Sequence, residues 1–298
     1  MASAAIHPEA RPDAAAPTHA WDKAAQGWNS NAALIRVWLA GATVAMMDAA
    51  GITQGDRVLD IAAGAGDQTL DIARRVGPEG HVLATDISPR IMALAQSNAH
   101  QAGMAQVDTL VADAQSLTES LGFTRSNFDA AVCRLGLMFC TRPLDALTGA
   151  RKVLKPRGRL AALVFSQPQH NPCLAVMMST ALRAAGLPPK SPFEPGTLMS
   201  LGRPGLLAQL LHEAGFVDIS VTHLPAPFCT PTVRHYVDFV RTSGSPIMEI
   251  LATLAPSAQD GVWRDIESQL RIFTTPEGWR GPNELLLCAA TVPDAHAL

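Results

Sequence analysis

The stretch from Gly55 to Asp67, Gly-Asp-Arg-Val-Leu-Asp-Ile-Ala-Ala-Gly-Ala-Gly-Asp, constrains this chain more than any other. Val58, Leu59 and Ile61 predict a short buried strand, interrupted by the carboxylate of Asp60. Gly64 and Gly66 then allow a tight turn and a close backbone approach to a ligand, with no Cβ in the way. Asp67 suits the cap of a helix predicted over 68–76. Strand, glycine turn and helix start in succession aim backbone N–H groups and a positive dipole end at an anion. A lone Gly-x-Gly is most often only a turn. Here a second feature accompanies it: Asp86 closes another strand-like run, 81–85, and an acid at that place can accept both hydroxyl hydrogens of a ribose. The dinucleotide fingerprint asks for a third glycine three residues after the second, and that position is Thr69. A nucleoside without a pyrophosphate fits better.

From Gly55 the chain alternates. Strands are predicted at 57–61, 81–85, 107–111, 128–133 and 160–165, with helices at 68–76, 88–102 and 143–154 between them, and two further strands at 216–223 and 284–292. Ser88-Pro89 opens one helix as cap and first residue, and Gly103 stops it. Such βα repetition predicts an α/β fold, a doubly wound, seven-stranded, mostly parallel sheet, with N-terminal helices and helical insertions forming a lid. Ligands of such sheets sit at the carboxyl ends of the strands. Gly64, Gly66, Asp86, Asp113, Arg134 and Ser166 all fall there. The expected division is a disordered tail at 1–20, a helical cover at 21–50, a binding core at 51–166, an insertion at 167–201, more core at 202–224, a mainly helical insertion at 225–282, and a last strand and tail at 283–298.

The segment Asp60-Ile-Ala-Ala-Gly64-Ala-Gly66 resembles motif I of class I S-adenosylmethionine-dependent methyltransferases, with Ala62 where many members carry glycine. Residues 128–139, Phe-Asp-Ala-Ala-Val-Cys-Arg-Leu-Gly-Leu-Met-Phe, and the Val-Leu-Lys-Pro-x-Gly turn at 153–158 resemble the ubiquinone/menaquinone-biosynthesis-type branch of small-molecule methyltransferases. The similarity covers about 56–165 and continues more loosely to the last strand. It implies S-adenosyl-L-methionine as cofactor. By this resemblance Asp60, Gly64 and Gly66 surround the methionine portion, Asp86 holds the ribose hydroxyls, and Ile87 packs on adenine. Asp113 accepts from the exocyclic amine, Ala114 lies beside the ring, and Arg134 lies under the methionine moiety. Asp60 could equally cap its own loop, and Arg134 could equally pair with a nearby acid.

A sulfonium methyl is already activated, so such an enzyme mainly aligns its acceptor and excludes water. A base is needed only where the acceptor must lose a proton. His170, just past the fifth strand, is the catalytic candidate; His235 and Tyr236 are weaker ones, and His223 reads as a strand end. Leu174, Met177, Met178, Phe193, Leu198 and Met199 make the first insertion apolar and adaptable. The expected acceptor is a small, partly hydrophobic molecule methylated at O, C or N. The competing readings are an NAD-dependent oxidoreductase on the same sheet and a non-transferring S-adenosylmethionine-binding protein; an arsenic-methylating enzyme ranks below them.

The remaining bulk properties narrow the partners. A net charge of −3 gives no reason to expect nucleic acid or an anionic membrane surface. Five cysteines without a Cys-x-x-Cys pair indicate neither a zinc ribbon nor a disulfide framework. No metal is expected, and reduced thiols point to the cytoplasm. The first twenty residues lack a basic start with an apolar run behind it. No span of about 20 uninterrupted apolar residues is read. A homo-oligomer is left open.

Overall fold

In the computed structural model, which describes residues 15–122 and 127–294, the alternation becomes a single seven-stranded sheet. Two helices precede it, α1 (Ala15–Ser30) and α2 (Ala32–Ala49). Then follow β1 (Arg57–Ile61), α3 (Asp67–Val76), β2 (His81–Asp86), α4 (Pro89–Gln101), β3 (Val107–Val111), the short α5 (Leu117–Leu121), β4 (Phe128–Arg134), α6 (Pro143–Val153) and β5 (Leu154–Phe165). After β5 come α7 (Pro172–Ala184), α8 (Leu206–Glu213) and β6 (Val217–Pro225). The second insertion holds β7 (Phe228–Thr230), α9 (Val233–Ser243), α10 (Ser245–Leu251), α11 (Pro256–Leu270), β8 (Thr274–Thr275) and β9 (Gly278–Gly281), before β10 (Glu284–Thr291) closes the sheet.

The strand order is β3-β2-β1-β4-β5-β10-β6, and β10 runs antiparallel to both neighbours while the other pairings are parallel. The central strands are buried almost end to end, as layers on both faces require. The edge strand β6 is mostly exposed or half-buried. Because β1 and β4 are neighbours while β2 and β3 lie beyond β1, the order reverses at β1. The crevice above its carboxyl end is therefore the place for a ligand.

Helix α1 begins at Ala15, inside the stretch expected as a tail; residues 1–14 of that expectation lie outside the described residues. Helix α2 is long and apolar enough, by length and composition, to cross a bilayer. Here Ile35, Leu39, Ala42, Met46 and Met47 bury one face of it, and it packs on β4, β5 and β10. The second insertion is not purely helical: β7, β9 and β8 form a separate antiparallel sheet. Strands of two to four residues are too short to show a period of two, so the sequence carries no signal for them. Trp279 on β9 anchors this sheet, stacking on Tyr236 at 4.5 Å between ring centroids and donating its indole N–H to the Leu270 carbonyl at 2.8 Å.

Candidate ligand site at the carboxyl edge of the sheet

The glycine turn leaves β1 through three left-handed residues, Ala62 (φ 54°), Gly64 (φ 59°) and Gly66 (φ 86°). An alanine at such an angle carries a Cβ that L-residues rarely place there. Space for that methyl comes from Gly136, just past β4: a Cβ on Gly136 would lie 2.3 Å from the Ala62 Cβ. The two positions are thus complementary, one methyl shared between two turns. Gly136→Ala alone is expected to cost about 1–3 kcal/mol through overpacking. The exchange Ala62→Gly with Gly136→Ala is expected to recover most of that loss, read as melting temperature of the two variants.

Beneath the turn lies a buried polar network. Asp60 is fully buried; its two carboxylate oxygens accept from the Gln68 amide at 3.1 Å and the Thr69 hydroxyl at 2.6 Å. Both donors stand in the first turn of α3, so Asp60 fixes the helix start from below and its oxygens are already engaged. Arg134, buried at the end of β4, donates to the Thr43 hydroxyl of α2 at 2.9 Å and to the Asp67 carboxylate at 2.5 Å. It locks β4, α2 and the α3 N-terminus together. Of the two roles open for Arg134, the structure has it paired with a nearby acid.

Burial pushes the Asp60 carboxyl up to about 7, against the pull of Thr69, Gln68 and Arg134. The folded chain therefore holds a proton that the unfolded chain, with an ordinary value of 3.8, releases earlier. Asp60 consequently favours the fold most below that ordinary value. Its contribution falls as pH rises from about 4 to about 7 and is level above. In Asp60→Asn that slope is expected to vanish, measured as the difference in unfolding midpoint between the two proteins across this range.

Asp86 sits at the end of β2, 9 % exposed. Its carboxylate accepts from the Gly64 N–H at 3.1 Å and the Ser88 N–H at 3.0 Å, tying the glycine turn to the α4 start. Burial raises its pKa, opposed by these amide hydrogen bonds. Ser88 caps α4 by accepting from the Ile91 N–H at 3.1 Å and hydrogen-bonds Asp22 of α1. Ile87 is half-buried beside it. Past β3, Asp113 accepts from the Gln115 N–H at 2.9 Å, opening the turn that carries the half-buried Ala114. Gly64, Gly66, Asp86, Ile87, Asp113 and Ala114 are thus gathered at three adjacent strand ends. Helix α1 lies across them, with Trp21 and Ala25 packed on Ala63, Ala84, Ile91, Met92 and Ala95. Ser88 is the helix cap that the sequence predicts, but its tie to Asp22, and the ties made by Asn98, were missed by sequence reasoning. Asn98 donates to the Ala65 carbonyl at 2.9 Å and to Asn29 of α1 at 2.8 Å. Their partners lie up to 69 residues away, and no local pattern announces them.

Beyond β4 the character of the edge changes. Trp21, Trp28, Trp38, Leu135, Met138 and Phe139 line an apolar cavity with Phe165, Leu174, Met177, Met178 and Leu198 from β5 and the first insertion. Phe228, Tyr236, Phe239, Val240 and Ile247 close it from the second. No charged side chain is among the described lining residues. Trp38 stacks on Phe165 at 6.3 Å, and Phe228 meets Trp38, Tyr236 and Phe239 at 4.8–5.0 Å. The cavity adjoins the glycine turn through Trp21, which packs on Ala63, and through Leu135, the neighbour of Gly136. Phe193 and Met199, expected in an apolar insertion, are not in its lining; Met199 is buried core.

His170 lies outside that lining. Its Nδ1 is 2.6 Å from the Glu284 carboxylate, whose same oxygen meets the His223 Nδ1 at 3.0 Å. Glu284 is held below the usual carboxylate range; burial pushes the other way, but hydrogen bonds from His223, Ser166 and His170 outweigh it. The three donor atoms lie within 4.8 Å of one another and could chelate a divalent cation, on a surface where the histidine side chains are 45 % and 56 % exposed. His235 is likewise outside the cavity, its ring against the Thr232 hydroxyl at 2.8 Å. Tyr236 lines the cavity, and burial holds its phenol far above the ordinary value.

Residues 34–181 match the ubiE/COQ5 methyltransferase family. Among curated proteins, the ubiquinone/menaquinone biosynthesis C-methyltransferase UbiE of Azotobacter vinelandii is 40 % identical over 125 residues, 42 % of this chain and 48 % of that protein. The chain thus spans about half the length of the curated relatives it matches. Among solved structures, phosphoethanolamine N-methyltransferase 2 of Haemonchus contortus, in complex with S-adenosylhomocysteine, superposes with a TM-score of 0.55 at 17 % identity over 89 % of this chain and 58 % of that one. The [4+2]-cyclase SpnF superposes with a TM-score of 0.54 at 18 % identity over 92 % and 97 %. These two likenesses establish the fold.

Proposed function

We propose that this chain, which matches the ubiE/COQ5 methyltransferase family over residues 34–181, moves a methyl group from S-adenosyl-L-methionine to a small, uncharged, partly hydrophobic acceptor. The observation that carries the reading is one juxtaposition: a glycine turn hydrogen-bonded to the ribose-type acid Asp86, next to a charge-free aromatic cavity. Bound at the turn, the cofactor would supply a sulfonium methyl; the acceptor atom would bond to that methyl in line as the carbon–sulfur bond breaks, with S-adenosylhomocysteine leaving and any acceptor proton passing to solvent.

The residues present fit that cofactor. Gly64 has open space where a Cβ would stand, so the backbone can come close to a ligand. Asp86 offers a carboxylate to the ribose hydroxyls, with Ile87 on one side of the adenine and Asp113 and Ala114 beside it. Asp60 and Arg134 act one layer down, holding the amides of the α3 start in place for a carboxylate. The aromatic walls orient the acceptor and exclude water, which is the main source of rate for an already activated electrophile. His170 takes no part in this scheme, since it stands outside the cavity with Nδ1 engaged by Glu284. We propose the cytoplasm as its place of action, from four buried reduced cysteines and one exposed.

The NAD reading is disfavoured by Thr69, which occupies the third-glycine position and whose hydroxyl is committed to Asp60. A non-transferring cofactor-binding protein is the second reading, because SpnF, named a cyclase, shares this fold. Incubation with S-adenosylmethionine and a panel of uncharged aromatic and aliphatic acceptors separates the two. Acceptor-dependent release of S-adenosylhomocysteine, retained in His170→Ala, is expected. Cofactor binding without release from any acceptor sinks the transferase.

A further inference from the structure

Two residues of the cavity wall carry a buried polar atom that has no hydrogen-bond partner among the described residues. Asn283, on the last residue before β10, is 94 % buried by its 6 % exposure, and its side-chain Oδ1 has no hydrogen-bond partner. Trp28 of α1 is the other: its indole Nε1 is buried and unpartnered. Both residues line the same cavity. Buried polar atoms left unpaired are costly, and a native chain that carries two of them in one apolar pocket requires an explanation. The neighbours show that pairing is easy in this fold. Trp38 donates to the Ala226 carbonyl at 2.8 Å and Trp279 to the Leu270 carbonyl at 2.8 Å. Asn171 at the same sheet edge uses both ends of its amide, on Ser166 and on the Glu284 backbone.

We infer that Asn283 and Trp28 are the groups that read the acceptor: Asn283 Oδ1 takes a hydrogen bond from an O–H or N–H of the bound molecule, and Trp28 Nε1 gives one to an oxygen of it. The inference rests on the proposed function and narrows its substrate class. The acceptor is uncharged, apolar over most of its surface, and bears one hydrogen-bond donor and one oxygen acceptor. Carboxylates, phosphates and ammonium groups are excluded, because no lining side chain would neutralise them. Both reading residues lie outside 34–181, so this selectivity is not part of the family match. They come instead from the N-terminal cover and from the segment entering the last strand, which meet only in the folded molecule. Such a site discriminates strongly, since an analogue lacking the hydroxyl leaves the wall group unpaired.

Calorimetry on the full chain with saturating S-adenosylhomocysteine tests this without requiring turnover. The probes are 1-naphthol against 1-methoxynaphthalene for Asn283, and 1-acetylnaphthalene against 1-ethylnaphthalene for Trp28. We expect the naphthol to bind about tenfold more tightly than its methyl ether, and 1-naphthoate to give no binding heat. Asn283→Leu is expected to bring naphthol and ether to equal affinity while leaving the acetyl–ethyl difference intact. Trp28→Phe is expected to do the reverse. Equal binding of naphthol and ether by the unmodified chain overturns the inference, as does a preference that survives Asn283→Leu, or no binding of either probe. Heat from S-adenosylhomocysteine alone, recorded first, separates any of these failures from a failure of the cofactor reading.

Discussion

Replacing Arg134 with methionine is expected to lower the stability of the fold by about 3–5 kcal/mol, the cost of breaking a buried ion pair from one side. The guanidinium is 4 % exposed and its partner Asp67 is 15 % exposed, so little water reaches the carboxylate once the cation is gone. Thr43 loses its donor at the same time. Arg134→Lys is not a conservative rescue, because one ammonium cannot reproduce a planar fork directed at both Thr43 and Asp67. The double variant Arg134→Met with Asp67→Asn removes the orphaned charge and is expected to be more stable than Arg134→Met alone. Urea midpoints of the two variants and the parent decide it; equal stability of single and double variants contradicts the account of Arg134 as an internal clamp.

Removing the Asp86 carboxylate is expected to weaken cofactor affinity by at least about 100-fold. Two hydrogen bonds to a charged acceptor, each worth roughly 1.5–3 kcal/mol, are lost to the ribose, and the amides of Gly64 and Ser88 lose theirs as well. The Gly64 amide matters most, because it is how the acid holds the turn in the shape that meets the ligand. Asp86→Asn keeps one acceptor oxygen and is expected to lose about tenfold, the effect of one charge-assisted bond becoming neutral. Titration of both variants with S-adenosylhomocysteine, with circular dichroism to confirm folding, gives the comparison. An Asp86→Ala variant that binds like the parent removes Asp86 from the site.

Legibility followed sequence distance. The glycine turn, Asp86 and the βα rhythm were readable because each is written within a few consecutive residues whose spacing has a physical meaning. The sheet is mostly parallel, as the rhythm predicts, and its antiparallel strand is β10, between β5 and β6. The sequence leaves open what Asp60 and Arg134 do, since a carboxylate in a strand and an arginine at a strand end are chemically able to face a ligand or each other's neighbours. Only the packing of α2 and α3 assigns their partners. Trp28 and Trp38, both in the helical cover expected at 21–50, prove to serve two purposes. Trp38 is hydrogen-bonded and packed, whereas Trp28, which lines the cavity, has a buried indole donor with no partner among the described residues. Asn283 and Phe228 had no signal at all. Their importance comes from a cavity assembled by the N-terminal helices and both insertions, and such a cavity has no linear spelling. His170 shows the converse: a plausible residue type at a plausible strand end, drawn to the open side by Glu284.

The account depends above all on whether the turn at 62–67 and Asp86 hold an adenosyl ligand. Titrating the intact, folded chain with S-adenosylhomocysteine in a calorimeter addresses that directly. One site per chain is expected, with Kd in the range of ~1–100 μM, roughly −8 to −5.5 kcal/mol, and NADH giving no heat under the same conditions. A folded protein that takes up NADH and leaves S-adenosylhomocysteine untouched would contradict the account at its root.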